Sequence, residues 1–248
     1  MANEIERPEG IADAFNVRRM ILIATMRKAV DTSKAISLLS DDVANFENIN
    51  ILTRCLIESV VNGAYLQTAT DDEVKTYQAF DVIPVSKIKR YVDGVAPTEF
   101  SKHISETRLA QFDAHVDKVK QDTGKTDKDF GWTRMDVASR CAKIDEQFGQ
   151  DAFALLGRGL FPIGHPYVHG NFQSLKRRLP MADGVQAYRD GIDQTLFIEA
   201  QVLAALASFV NRRYKLACDD ELANIGEAFG TFTKRLLGGV HQAMRGHP

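Results

Sequence analysis

The sequence predicts an all-α protein, a bundle of about eight helices with an irregular central segment. The chain contains seven prolines among its 248 residues and no run in which β-branched and polar residues alternate. Long stretches are instead rich in alanine, leucine, arginine, glutamate and lysine, and apolar residues recur at steps of three and four. Because no internal repeat or long linker is present, we expect one helical domain covering residues 1–248.

Four helices are predicted in the first half of the chain. Asp41 or Asp42 can cap the start of the second helix. Pro84 should kink or break the third helix near Ile83, because proline lacks the N–H that a helical hydrogen bond needs. Gly124 is suited to end the fourth. The first helix is predicted over residues 11–39, the second over 42–69 and the fourth over 97–122. The third is predicted to start at Asp71 or Asp72.

Four more helices are predicted in the second half. Thr133 and Asp136 resemble a capping box in which aspartate replaces the usual glutamate. The last helix begins at Asp219 and Asp220, whose carboxylates suit the positive end of a helix. The predicted extents are a fifth helix from Thr133 to Phe148, a sixth over 150–161, a seventh over 184–216 and an eighth over 219–244, so that long helices occupy 184–244.

The composition is that of an ordinary globular protein. Hydrophobic residues make up 44% of the chain, charged residues 26%, and the net charge is −2. A global basic field of the kind that attracts nucleic acid is therefore excluded, and RNA binding would need a local basic patch. The three cysteines lie far apart, at Cys55, Cys141 and Cys218, which favours a reducing compartment.

We expect the protein to be cytoplasmic, without a membrane anchor. The N-terminus has no apolar region behind a positive start, so it does not resemble a signal peptide. The most apolar window, residues 195–210, contains Glu199 and is shorter than a bilayer span. A buried helix is the preferred interpretation of this window.

The irregular centre, residues 157–183, holds the candidate catalytic residues His169, His165 and Arg158. Histidine transfers protons near neutral pH, and arginine can stabilise the charge that develops on a phosphate during cleavage. If residues 165–169 form a helical turn, both histidines share one face, close to Tyr167. The alternative is structural: one histidine hydrogen-bonds the irregular backbone and the other is exposed.

A basic loop follows the two histidines. Lys176, Arg177 and Arg178 are adjacent and could contact nucleic-acid phosphates, although a solvated loop has the same composition. We expect no metal and no other cofactor, because neither an HExxH motif nor a Glu-x-x-His pair occurs. A metal enzyme that uses His165 and His169 is the least favoured hypothesis.

Arg54 and Glu58 lie four residues apart within an otherwise apolar helix, in the sequence RCLIESVV. Charges in an apolar stretch are costly unless they are paired. The simpler interpretation is a buried structural ion pair, formed between the two side chains or with a partner on another helix. The alternative is a polar, ligand-holding cluster that His169 could join.

Several of these residues resemble the pattern of DUF5677, an uncharacterised bacterial helical family. Arg54 and Glu58 match an Arg-x-x-x-Glu step, and Trp132 and Arg140 match a tryptophan before a helix that contains an arginine. The motif YVHG places the family histidine at His169. The resemblance covers residues 50–175 and implies a polar or ligand-binding cluster that includes Arg54, Glu58, Trp132, Arg140 and Tyr167. Where the family has a serine, this chain has His165, followed by Pro166.

The general layout of that family is similar to the HEPN superfamily, which includes RNA-cleaving toxins and defence effectors. The site of those proteins pairs an arginine with a histidine that follows after four to six intervening residues, usually across a dimer interface. Arg158 and His165 have six residues between them and fit this spacing. Arg108 with His115 fits as well, as does Arg235 with His241, so the spacing is not specific.

Two hypotheses of function follow. The first is a metal-independent, HEPN-like ribonuclease of a stress or defence system, acting as a homodimer, in which His165 or His169 transfers the proton of a ribose 2′-hydroxyl. In it, Arg158 stabilises the cleaved phosphate and the basic loop holds the RNA. The second is a non-catalytic helical module in which Arg54, Glu58 and His169 bind a small ligand or a partner protein.

Overall fold

A computed structural model describes residues 14–95, 104–126, 128–129, 131–149, 152–164, 184–224 and 226–227. These residues form helices and connecting turns without a strand, which confirms the all-α prediction. The helices include α1 (Ala14–Leu39), α2 (Phe46–Leu66), α3 (Asp71–Ala79), α4 (Val82–Val95), α5 (Glu106–Thr123), α6 (Val137–Phe148), α7 (Ala152–Ala154) and α8 (Gly184–Tyr214), and residues 219–224 are helical as well. A π-helix (Leu155–Leu160) and a 3-10 turn (Phe161–Gly164) continue α7.

Capping residues close in the sequence determine where several helices begin and end. Thr70, rather than the predicted Asp71 or Asp72, caps α3 and forms a reciprocal capping box with Glu73. Gly124 ends α5 in the left-handed region at φ 63°, as predicted. The start of α5 at Glu106, capped by Ser105, is later than the predicted residue 97. Asp42 caps a 3-10 turn that precedes α2.

Two predicted boundaries in the middle of the chain are wrong in detail. Pro84 lies in the first turn of α4 instead of ending α3, a position where the missing N–H costs no helical hydrogen bond. The Thr133 hydroxyl accepts a hydrogen bond from the backbone N–H of Met135, so it closes a local turn. Helix α6 therefore begins at Val137 and not at Thr133.

The chain divides into two compact units. Unit 1 contains residues 14–21 and Leu66–Asp136, and unit 2 contains Leu22–Tyr65 and the described residues from 137 onwards. The expectation of a single domain stays a prediction.

Unit 1 joins the start of α1 to the segment around α3. The Arg18 guanidinium donates a hydrogen bond to the Leu66 carbonyl at 2.7 Å and forms a salt bridge with Asp71 at 2.5 Å. The Gln67 side chain donates in return to the Arg18 carbonyl at 2.9 Å. These contacts satisfy the last carbonyl of α2 and place a cation beside the acidic first turn of α3.

Helix α4 packs against α5 in the same unit. Lys89 lies between two carboxylates, 3.1 Å from Asp93 and 3.3 Å from Asp113. The hydrogen bond to Asp93 raises the pKa of Lys89, and Asp113 raises it further against the opposing effect of burial. Lys89 therefore remains charged and links the two helices.

Unit 2 has an aromatic and aliphatic core around α8. The Phe209 ring meets Phe148 and Phe153 edge to face, with centroids 4.8 Å and 5.9 Å apart. Gly191 allows α8 to approach α2, because a Cβ there would lie 2.5 Å from the Phe46 ring. Aliphatic residues of α1, α2, α6 and α8 complete the buried set, among them Ile36, Ile49, Leu56, Val60, Ile144 and Val202.

Helix α8 contains a long apolar stretch. Its stretch Tyr188–Tyr214 is long and apolar enough to cross a membrane by length and composition, a test that a core helix passes as well. Several of its side chains are buried within unit 2, among them Val202, Phe209 and Glu199. The cytoplasmic location stays a prediction.

Candidate functional site

A row of polar residues runs along α2 in unit 2. Asn50, Arg54, Glu58 and Asn62 follow one another at steps of four, so they lie on one face of the helix. The remaining faces carry buried aliphatic residues such as Leu56, Ile57, Val60 and Val61. We call these four polar residues the polar row.

Side chains of other helices contact both ends of the polar row. The Thr195 hydroxyl on α8 donates to the Gly191 carbonyl at 2.8 Å and lies 3.4 Å from the Asn50 side-chain oxygen, and the Asn50 amide donates to the Phe46 carbonyl at 2.8 Å. At the other end, the Arg140 guanidinium on α6 donates to the Asn62 side-chain oxygen. Arg140 is 5% exposed, so this bond fixes a buried cation against α2.

In the middle of the polar row, Arg54 contacts an aromatic ring instead of forming a hydrogen bond with another side chain. The Arg54 guanidinium carbon lies 4.8 Å from the centroid of the Phe161 ring, a cation–π contact. Among the described residues, the buried Nε and Nη1 atoms of Arg54 have no hydrogen-bond partner. Leaving such groups unpaired is costly, about 1–3 kcal/mol or more for a charged side chain. Arg54 thus has unused capacity to donate hydrogen bonds.

Glu58 lies one turn from Arg54 and is half-buried. No salt bridge or hydrogen bond joins the two side chains, and within the described part of the chain Glu58 contacts no other hydrogen-bond donor. The expected pairing of Arg54 with Glu58 is therefore wrong, because Arg54 instead packs on Phe161, and an ion pair with a partner on another helix stays a prediction. The polar row presents two opposite charges that are not neutralised by each other.

The π-helix positions Phe161 against Arg54. Asp145, on α6, caps the start of α7 by accepting hydrogen bonds from the backbone N–H groups of Phe153 at 3.1 Å and Ala154 at 2.6 Å. Gly157 packs closely on α6, since a Cβ there would lie 2.8 Å from Cys141 Sγ. Single π-helical turns are frequent at functional sites. Here the π-helix immediately precedes Phe161, whose ring packs on Arg54.

A buried carboxyl group lies elsewhere in unit 2. Glu199, on α8, is 6% exposed and accepts a hydrogen bond from the Ser33 hydroxyl of α1. Burial raises the pKa of Glu199, and the bond from Ser33 only partly opposes that rise.

The structure places three of the predicted site residues together. Arg54, Glu58 and Arg140 belong to or contact the polar row. Arg158 is exposed on the π-helix of the same unit. Some predicted residues lie outside the described part of the chain, namely His165, Tyr167, His169, Lys176, Arg177 and Arg178. Their convergence with Arg158 or Arg54 stays a prediction.

Trp132 belongs to unit 1. Its ring meets Tyr77 edge to face with centroids 5.1 Å apart, and burial raises the pKa of Tyr77. The neighbouring loop is held by Lys87, which donates to the Asp129 carbonyl at 2.6 Å, and by Lys125, which donates to the Gly131 carbonyl at 3.3 Å. Within unit 1, Trp132 acts as an aromatic anchor of this loop.

Sequence reasoning missed Asn50, Asn62 and Phe161. The two asparagines could have been found, because they continue the four-residue step of Arg54 and Glu58 in both directions. Phe161 gave no such signal, since its contact with Arg54 joins distant parts of the chain. Among the described residues, no group of three or more histidine, cysteine, aspartate or glutamate side chains is placed to hold a metal ion.

Comparisons with known proteins identify a family and no individual relative. Neither a curated protein nor a solved structure matches the chain. The model of DUF5677, a family of unknown function, matches residues 19–186, which extends beyond the predicted 50–175 on both sides. This match covers more than half of the chain and includes α2, the polar row, the π-helix and both histidines of the irregular centre. The chain therefore belongs to the DUF5677 family.

Proposed function

We propose that unit 2 is a non-catalytic binding module that holds the anionic group of a small ligand on Arg54. The unpaired Nε and Nη1 atoms of that side chain are the observation that supports this proposal most directly. Proteins rarely leave buried donors unpaired, and those that do occur call for an explanation such as a missing ion or ligand. An anionic oxygen supplies the acceptor that the described residues lack.

The surroundings of Arg54 suit an anion. Phe161 packs on the guanidinium and restricts its motion, so less conformational entropy is lost when a ligand binds. The site is partly shielded from water, which strengthens charge-assisted hydrogen bonds to a carboxylate or phosphate. Arg54 as a whole is half-buried, whereas its Nε and Nη1 atoms are covered, so a ligand that reaches these two atoms must displace the side chains above them.

Inorganic phosphate is a suitable probe of this proposal. The wild-type protein should gain thermal stability as phosphate is added, by about 2.7 kcal/mol at one hundred times the dissociation constant. Arg54→Met should abolish that gain. Arg189→Gln, which removes an exposed arginine on α8, is the matched control and should retain it.

Stability without ligand provides an independent check. Because the methionine removes an unpaired buried charge and keeps most of the volume, Arg54→Met should be as stable as the wild type or more stable. An Arg54→Met protein that is destabilised by 3 kcal/mol or more, with an unchanged response to phosphate, would overturn the proposal.

A second candidate is a metal-independent ribonuclease of HEPN-like type. It is supported by the exposed position of Arg158 on the π-helix, where its guanidinium is available to an RNA phosphate. In this hypothesis His165 or His169 transfers the proton and Lys176, Arg177 and Arg178 hold the RNA backbone. The protein would act in the cytoplasm, as a homodimer, in a stress or defence system.

Cleavage of a labelled RNA by the pure protein in the presence of a chelator tests this second candidate. His165→Ala or His169→Ala should abolish cleavage, while His115→Ala, an exposed histidine on α5, should not. Intact RNA after incubation with wild-type protein would exclude the nuclease and leave the binding module.

A further inference from the structure

We propose that the ligand of the polar row is a small zwitterion, with its anionic group on Arg54 and its ammonium group on Glu58. This inference rests on the proposed function, since it adds a second contact to the same site. It also names the ligand class that the two charges together would select.

Arg54 and Glu58 do not form a salt bridge with each other. An arginine and a glutamate four residues apart on a helix ordinarily attract each other and form a salt bridge. In α2 the guanidinium of Arg54 is engaged by the Phe161 ring, and Glu58 has no partner among the residues described. The cation of Arg54 and the anion of Glu58 are one helical turn apart and do not neutralise each other. A single ligand can pair with both only if it carries an anionic and a cationic group.

The neighbouring residues of the polar row already have contacts at their side-chain oxygens. The Asn62 oxygen accepts a hydrogen bond from Arg140, and the Asn50 oxygen lies 3.4 Å from the Thr195 hydroxyl. Arg54 and Glu58 are the charged residues of the polar row, and neither has a side-chain hydrogen-bond partner among the described residues. A carboxylate accepts hydrogen bonds only, so Glu58 needs a donor, and an ammonium group supplies three.

The geometry of the helix limits the size of the ligand. Residues four apart on a helix have Cβ atoms about 5–6 Å from each other. A matching ligand has its ammonium and its anionic group separated by two or three bonded carbon atoms. O-phosphoethanolamine and β-alanine have this separation, with a phosphate and a carboxylate as the respective anionic groups.

Two pairs of probes isolate the ammonium group. O-phosphoethanolamine is compared with ethyl phosphate, and β-alanine with propionate, each by titration calorimetry on the full chain. The wild-type protein should bind at least one zwitterion about tenfold more tightly than its anionic counterpart, as expected for one charged hydrogen bond.

Glu58→Gln should reduce that preference to about one. The same variant should bind the plain anions at least as tightly as the wild type, because a repelling carboxylate has been removed. Glu146→Gln, an exposed glutamate on α6, is the matched control and should keep the tenfold preference. Glu58→Ala is a second variant, for use if the glutamine variant folds poorly, and it should lose the preference equally.

The outcomes separate the two proposals. Binding of ethyl phosphate or propionate that depends on Arg54, without any preference for the zwitterions, would overturn this inference and leave the proposed function standing. A preference that persists in both Glu58 variants would also overturn it. No binding of any of the four probes, together with an Arg54→Met protein that behaves like the wild type, would overturn both.

Discussion

The guanidinium carbon of Arg54 lies 4.8 Å from the centroid of the Phe161 ring. This contact joins the middle of α2 to the turn that follows the π-helix. It also explains why Arg54 does not pair with Glu58, although the spacing of the two residues allows a salt bridge. The candidate site of unit 2 depends on this one contact more than on any other.

The contact between Arg54 and Phe161 can be measured with a double-mutant cycle. Phe161→Leu keeps an apolar side chain but removes the ring that attracts the guanidinium. The free energy of unfolding of the wild type, Phe161→Leu, Arg54→Met and the double variant should give a coupling energy of about 0.5–2 kcal/mol. A coupling energy near zero would show that the ring and the cation do not interact in solution.

The close packing of the π-helix on α6 depends on Gly157. A Cβ at this position would lie 2.8 Å from Cys141 Sγ and 3.0 Å from Ala138 Cα, and the backbone atom cannot move aside cheaply. Gly157→Ala should therefore lower the free energy of unfolding by about 1–3 kcal/mol, measured by urea denaturation.

Gly159 is the matched control for that substitution. Its added Cβ would meet only the end of the Leu155 side chain at 3.2 Å, and that side chain can rotate. Gly159→Ala should be neutral or stabilising by up to about 1 kcal/mol, because alanine loses less conformational entropy in a helix. Equal losses of stability in both variants would contradict the packing shown for Gly157.

Asp145 should be required for the start of α7. Its buried carboxylate accepts the N–H groups of Phe153 and Ala154, which have no acceptor within the helix. Asp145→Ala should cost about 1–3 kcal/mol of unfolding free energy. Glu146→Ala, at the exposed neighbouring position, should change it by less than about 0.5 kcal/mol.

Glu199 should make the stability of the protein depend on pH. Because burial raises its pKa in the folded state, folding favours the protonated form. Its contribution to stability is fully present below the pKa of the unfolded chain, about pH 4, and is lost as the pH rises through the higher folded-state pKa.

Glu199→Gln tests this dependence, since glutamine can still accept the hydrogen bond from Ser33. The variant and the wild type should be about equally stable near pH 4. As the pH rises to 8 the variant should become progressively the more stable of the two, by urea denaturation at each pH. A stability difference that is constant across this range would show that the pKa of Glu199 is not raised by folding.

Much of the fold could be predicted from local sequence, because helix formation depends on spacing and capping within a few residues. The helical class, the end of α5 at Gly124 and the break between α3 and α4 all follow from such signals, although the break lies before Pro84 and not at it. The starts of helices were predicted less accurately than their ends. Thr70 and Ser105 cap α3 and α5, but nearby residues are equally suitable caps by sequence alone.

For the candidate site, the sequence by itself determined that Arg54 and Glu58 share one face of an apolar helix, since that depends only on the helical repeat. Only the tertiary structure decided that the two charges are not paired with each other. That outcome depends on Phe161, which is far from Arg54 in the chain. Contacts of this kind form when helices pack together, and no local sequence pattern predicts which side chains will be in contact.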